Sequence, residues 1–174
     1  MKICGLDIAA KSDLCAATTL DGRCITEIET LSPPISYETV LNFVEAKAAD
    51  HDAVIMDATG VGAVVFDILS PKVPSLYGVR FTGGESVKLD GRLWTAGKVA
   101  LVHLLRRGLS GEVSLKCSDE AKRQLRGEMA GFRIVPGKRP GSLKYEAAPG
   151  ATDDILMSCA LALLGLTLEK SFKL

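Results

Sequence analysis

Four acids carry the chemical interest of this chain. Asp7 closes the apolar run Ile3-Cys4-Gly5-Leu6, and Asp57 closes Val54-Ile55-Met56. A carboxylate at the end of a buried strand is costly unless it is paired or bound to a cation. Asp153 and Asp154 stand together ahead of the apolar stretch 155–168. The amino end of a helix tolerates negative charge in any case, and a single acid of this kind is more often structural than functional. The weight rests on three acidic positions at the ends of elements that can converge. Such a set offers only oxygen ligands, which suit hard divalent cations such as Mg²⁺ that keep several waters. Two such ions about 3.5–4 Å apart can clamp the attacking and leaving oxygens in phosphodiester hydrolysis. That chemistry needs no histidine base. The chain has two histidines, His51 ahead of a strand pattern and His103 inside a helical one, and both are read as structural.

The residues after Asp57, Ala58-Thr59-Gly60-Val61-Gly62, are small. They leave the carboxylate face open for a phosphate backbone, and the glycines permit a sharp turn. No stretch matches the phosphate-loop pattern G-x-x-x-x-G-K-[ST] or the dinucleotide pattern G-x-G-x-x-G, so ATP and dinucleotide binding rank low.

The elements that must position these acids follow from periodicity. Residues 2–9, 13–20 and 24–30 read as three strands, the last two joined by the hairpin turn Asp21-Gly22-Arg23. Ser36 is placed to cap a helix running to about Ala49, with Val40, Leu41, Val44 and Ala48 on one face. Residues 53–56 are too apolar to face water on either side, as befits a central strand. A helix over 61–69, a strand over 75–81 and a helix over 92–107 follow, the last with Leu93, Ala96, Leu101 and Leu105 inward and Arg92, Lys98, Arg106 and Arg107 in water. Residues 118–128 read as a helix, 132–135 and 143–147 as strands about a basic turn, and 152–168 as the closing helix. Three antiparallel strands followed by strand–helix alternation predict an α/β fold, a mixed sheet with helices on its faces. If the strands ending in Asp7 and Asp57 are parallel neighbours, their carboxyl ends form the place where open α/β sheets bind ligands.

The 174 residues favour a single domain over 1–174. The apolar stretch 155–168 is shorter than the roughly 20 residues that span a bilayer, and the first fifteen residues carry Asp7 and lack a secretory pattern. A cytoplasmic protein without membrane contact is expected. Five cysteines without a C-x-x-C pair argue against a zinc site or a disulfide framework. Net charge is zero, yet residues 1–79 hold 5 Lys/Arg against 11 Asp/Glu while residues 80–144 hold 14 against 6. An acidic first half beside a basic middle suits a metal centre next to a polyanion. Lys138, Arg139 and Lys144 at the basic turn, with Arg80 and Lys88, are the candidates for phosphate contacts.

Taken together, "DATGVG" after an apolar strand, "GLDIA" in the first strand and "TDDILMSCALAL" in the last helix resemble the nuclease domain of tailed-phage large terminase subunits. "GVRF" and the segment "GRLWTAGKVALVHLLRRG" fit more loosely, and the likeness runs in order over nearly the whole chain. The resemblance implies a ribonuclease H-like fold with a central five-stranded mixed sheet. It implies an endonuclease that cuts double-stranded DNA during genome packaging, using two Mg²⁺ or Mn²⁺ ions and leaving a 5′-phosphate and a 3′-hydroxyl. By motif position Asp7 is the ligand shared by both ions, Asp57 the second, and Asp154, with Asp153, the third. Implied partners are double-stranded DNA, a packaging ATPase domain, the small terminase subunit and the portal, in a bacterial host cell. The chain departs from its relatives at Thr152, where many carry His, and at Met157, where some ribonuclease H-like nucleases place a further acid. No Walker phosphate loop is present, so the packaging ATPase domain that full-length terminases carry is expected to be absent, the chain being an excised domain, a split subunit or a prophage remnant. Alternative readings are a Holliday-junction resolvase, marked by dimerisation and preference for four-way junctions; a degenerate ribonuclease H-like module that binds DNA or protein without cutting; and an actin-like ATPase fragment, marked by ATP binding.

Overall fold

The computed structural model describes residues 1–9, 14–136 and 143–168. Strands β1 (Lys2–Asp7), β2 (Cys15–Asp21) and β3 (Cys24–Leu31) form an antiparallel meander. Helix α1 (Tyr37–Asp50) starts where Ser36 Oγ accepts the Thr39 N–H at 3.1 Å, as the sequence predicts, and buries Val40 and Val44. It returns the chain to β4 (Ala53–Asp57), which pairs parallel with β1. Helix α2 (Val61–Leu69) then leads to β5 (Leu76–Thr82), parallel to β4. These are the five strands expected, in the order β5-β4-β1-β2-β3 and with the expected mixed pairing.

Three short strands widen the sheet to eight: β6 (Val87–Lys88) and β7 (Leu93–Gly97) beyond β5, and β8 (Ser114–Leu115) beyond β3. The helix expected over 92–107 is therefore shorter. Residues 93–97 are a strand parallel to β5, and helix α3 is Lys98–Arg107. Trp94 and Ala96 alternate inward on that strand, and an aromatic followed by Thr95 favours a pleated surface. The unpaired edge of β5 supplies the backbone partners. A π-type turn over Gly108–Glu112 and helix α4 (Asp119–Gly131) follow. The hairpin of β9 (Phe132–Pro136) and β10 (Leu143–Ala147) precedes the last helix, α5 (Asp154–Thr167).

Side chains alternate across the sheet. Ile3 of β1 and Ala53 and Ile55 of β4 face one core, shared with α5, whereas Cys4, Leu6, Val54 and Met56 face the other, with Val40, Val44, Val65 and Phe66 of α1 and α2. Every residue of α5 from Ile155 to Gly165 is buried, which marks a helix covered on all sides; α3 and α4 pack over it. Its seat against β1 depends on Gly5. A Cβ there would lie 2.0 Å from Ser158 O and 2.4 Å from Ala162 N. All five cysteines are unpaired, and burial pushes the Cys4 and Cys159 thiols up to about 12, which removes both as nucleophiles at neutral pH. Among the described residues no helix is long and apolar enough to cross a membrane.

Candidate functional site

The sheet's register brings the first two acids together. Leu6 lies opposite Met56 on parallel strands, so Asp7 and Asp57 are the next residues on neighbouring strands. Alternation places both on the α5 side: Asp7 follows Ile3 and Gly5, and Asp57 follows Ala53 and Ile55. Helix α5 runs antiparallel to β1, with Gly165 against Ile3 and Ser158–Ala162 against Gly5. Its amino end, with Asp153 and Asp154, therefore arrives beside Asp7. Met157 is fully buried in the core, so that position packs rather than offering a ligand.

The turn after Asp57 is built from backbone. Thr59 N–H donates to Asp57 Oδ1 at 2.8 Å, and a Cβ on Gly62 would fall 1.9 Å from the Asp57 carbonyl oxygen. Gly60 has φ +54°, a left-handed conformation that favours glycine. The small residues of this segment thus let α2 start tightly against β4.

Electrostatics tie the acids into one group. Burial pushes Asp57 up to about 6, opposed by its hydrogen bonds from Thr59 and by the Lys98 charge, with Asp153 adding to the rise. Burial first, then the charges of Asp57, Asp154 and Asp153, hold Asp7 well above the usual carboxylate range. Like charges crowded in a poorly solvated place favour protonation until a cation relieves them. Among the described residues no three His, Cys, Asp or Glu side chains already stand in an arrangement that holds a metal ion. What is assembled is a field of mutually repelling carboxylates. Its donors are all oxygen, which fits Mg²⁺ or Mn²⁺ better than softer metals.

Two residues that periodicity alone does not place at the site join it. Lys98, expected in water, puts Nζ 3.0 Å from Asp153 Oδ2 and 5.5 Å from the Phe81 ring centroid, both Lys98 and Asp153 being only partly exposed. Glu128 is 8 % exposed. Its Oε1 accepts from Thr152 Oγ1 at 2.7 Å and its Oε2 from Leu156 N–H at 2.8 Å, and burial raises its proton affinity. A signal for it exists: Ala121, Leu125 and Glu128 are the buried residues of α4, a spacing that puts an acid on the helix's apolar stripe. The buried His51 ring is bonded to Thr19 Oγ1 at 3.0 Å and to Lys47 O at 2.8 Å. His103 faces Glu85, 3.8 Å away, on the surface.

Of the basic candidates, Arg80 and Lys88 are exposed and lie in one row across the sheet, both opposite Thr95 of β7. Arg80 alternates with Val79 and Phe81, which belong to the α5 side, so it projects from the other face. Lys144 lies in β10 opposite Val135, and Lys138 and Arg139 lie outside the described residues.

No protein-family model and no curated protein matches the chain. Solved structures do. The large terminase nuclease from thermophilic phage G20c with bound magnesium superposes with a TM-score of 0.68 at 21% identity, over 94% of this chain and 80% of that one. A mutant nuclease domain of the large terminase subunit of bacterial virus Sf6, with manganese and beta-thujaplicinol, gives 0.64 at 16% identity over 95% and 86%. The large terminase nuclease domain of bacteriophage SPP1 with bound manganese gives 0.51 at 13% identity over 97% and 85%. With its central mixed sheet, flanking helices and strand-end acids, the chain has the ribonuclease H-like fold of phage large terminase nuclease domains.

Proposed function

We propose that this chain is a metal-dependent endonuclease that cuts double-stranded DNA during phage genome packaging. The observation that carries the reading is the meeting of Asp7 and Asp57, on neighbouring parallel strand ends, with the amino end of α5 that bears Asp153 and Asp154. Support comes from the metals bound in nuclease domains of the same fold. Asp7, Asp57 and Asp154, with Asp153, would hold the Mg²⁺ or Mn²⁺ ions through their carboxylate oxygens. When bound, such ions supply charge neutralisation at the scissile phosphate and activation of the attacking water.

The chain's own residues do the rest. The Thr59 N–H orients the Asp57 carboxylate. Lys98 holds Asp153 and offsets part of the negative field before a cation enters. Water attacks phosphorus as the bond to the 3′ oxygen breaks; the attacking water gives up a proton to solvent and the departing 3′ oxygen takes one up, leaving a 5′-phosphate and a 3′-hydroxyl. Lys138, Arg139, Lys144, Arg80 and Lys88 take phosphates of the duplex, by charge and not by sequence. The partners are the packaging ATPase domain, the small terminase subunit and the portal, in the cytoplasm of a bacterial host.

Plasmid cleavage tests the proposal. The parent is expected to cut with Mn²⁺ or Mg²⁺ and not with EDTA, and Asp57→Asn to lose cutting. Robust cutting by the variant removes Asp57 from the mechanism. One observation favours a second reading, a ribonuclease H-like module that binds without cutting: Thr152 and Met157 stand where relatives carry a histidine or a further acid, and Met157 is buried in the core. That reading predicts a folded parent that binds duplex DNA and leaves plasmid intact with either metal.

A further inference from the structure

We propose that Glu128 is the positioning residue for the Asp153–Asp154 pair: it caps α5 from outside the helix and so leaves Asp153 free to serve the site. The inference rests on the reading of the four aspartates as a cation centre.

The first backbone N–H groups of a helix have no partner within it. The residue at the N-cap ordinarily satisfies one of them with its own side chain, bonding the N–H two or three positions on. Asp153 is the N-cap of α5 and is of a favoured type, yet it makes no such bond. Its carboxylate is turned to Lys98 instead. The N–H that an N-cap would take, that of Leu156, is bonded by Glu128 of α4 at 2.8 Å, and the other Glu128 oxygen takes the Thr152 hydroxyl at 2.7 Å. The two contacts fall on either side of the acidic pair, one residue before it and two residues after it. A buried carboxylate with both oxygens occupied is a rigid clamp, because releasing either bond strands a polar group away from water. Without Glu128, the acceptor that an N-cap ordinarily offers to this N–H is the Asp153 carboxylate itself. Capping with Asp153 would turn that carboxylate away from Lys98 and away from Asp7. The clamp therefore decides which of two jobs Asp153 does.

The test is Mn²⁺ affinity, measured by calorimetry on the whole chain for the parent, Glu128→Ala, Glu128→Gln and Asp57→Asn, with thermal melting of each in EDTA. Gln keeps an acceptor for Leu156 N–H and a donor for Thr152 Oγ1, so it preserves the clamp without the charge. The expected result is a loss of about tenfold or more in affinity for the alanine variant, the scale typical of groups that orient metal ligands, with the glutamine variant within about threefold of the parent. If Glu128→Ala does not fold, Glu128→Met fills the volume without an acceptor and takes its place. An alanine or methionine variant that folds and binds Mn²⁺ like the parent overturns the proposal, whatever its melting temperature. So does a glutamine variant as weak as the alanine one, since charge rather than positioning would then be the cause. Failure of the underlying reading looks different: the parent does not bind Mn²⁺, or Asp57→Asn binds it equally well, and the proposal falls with it.

Discussion

Replacing Asp57 by asparagine should make the cation-free protein more stable while removing its function. Burial holds the Asp57 carboxyl at about 6, against 3.8 for an ordinary aspartate. A folded state that raises an acid's proton affinity is favoured by protonation. The associated stability is fully present below the unfolded value near 3.8 and is lost as pH rises through about 6. At pH 8 the parent therefore carries a penalty of roughly 3 kcal/mol at most from this one group. Asparagine keeps an oxygen for the Thr59 N–H and carries no charge, so it escapes the penalty. It also relieves Asp7, on which Asp57 is the largest charge influence after burial. Urea unfolding in EDTA should show the variant more stable than the parent by about 2–3 kcal/mol at pH 8, or roughly 4–12 °C in Tm, with the gap closing toward pH 4. Mn²⁺ at pH 8 should reverse the order. A cation at a thousand times its Kd stabilises the parent by about 4.1 kcal/mol, more than the gap, and should do little for the variant. A variant no more stable than the parent at pH 8, or a gap that does not change with pH, refutes the argument that the acids repel one another in a poorly solvated place.

Gly5→Ala puts a methyl group where Ser158 O and Ala162 N lie 2.0 and 2.4 Å away; it should cost about 3 kcal/mol or more in urea unfolding, as overpacking against rigid backbone does, and a loss under about 1 kcal/mol would show that α5 is not seated there. His51→Ala should lower stability by about 1–3 kcal/mol through the stranded Thr19 hydroxyl and leave the plasmid cleavage rate within about twofold; loss of cleavage in a folded variant would make His51 part of the chemistry. Arg80→Ala combined with Lys88→Ala should weaken duplex binding and flatten the dependence of log affinity on log salt by about 1 for each phosphate no longer neutralised; an unchanged slope in filter binding removes this row from the DNA surface.

Much of the fold was legible because its central strands are short apolar runs with clear ends. Val54, Ile55 and Met56 have no polar side to offer water, so β4 had to lie inside a covered sheet. Ser36 announced α1 through its type and place. Strand β7 was not legible, because Leu93, Ala96, Leu101 and Leu105 satisfy a helical period while Trp94 and Ala96 also satisfy a period of two. Only the open edge of β5 decides between them. The placement of the acids was legible in kind: strand ends and a helix start are where charge belongs. Their common face follows from register, which needs the pairing of Leu6 with Met56. Lys98 carries no such signal in the sequence, and Glu128 only its place on the apolar stripe of α4. Long charged side chains are ordinarily solvated, and the bonds that draw these two inward join residues 55 and 24 to 28 positions apart.

On this reading, four carboxylates from distant parts of the chain hold divalent cations in one place. Crystals grown with Mn²⁺ and measured at the manganese absorption edge test it most directly. Anomalous density touching Asp7 and Asp57 together with Asp153 or Asp154 is expected. Manganese absent from that place, with the four side chains directed apart, would contradict it.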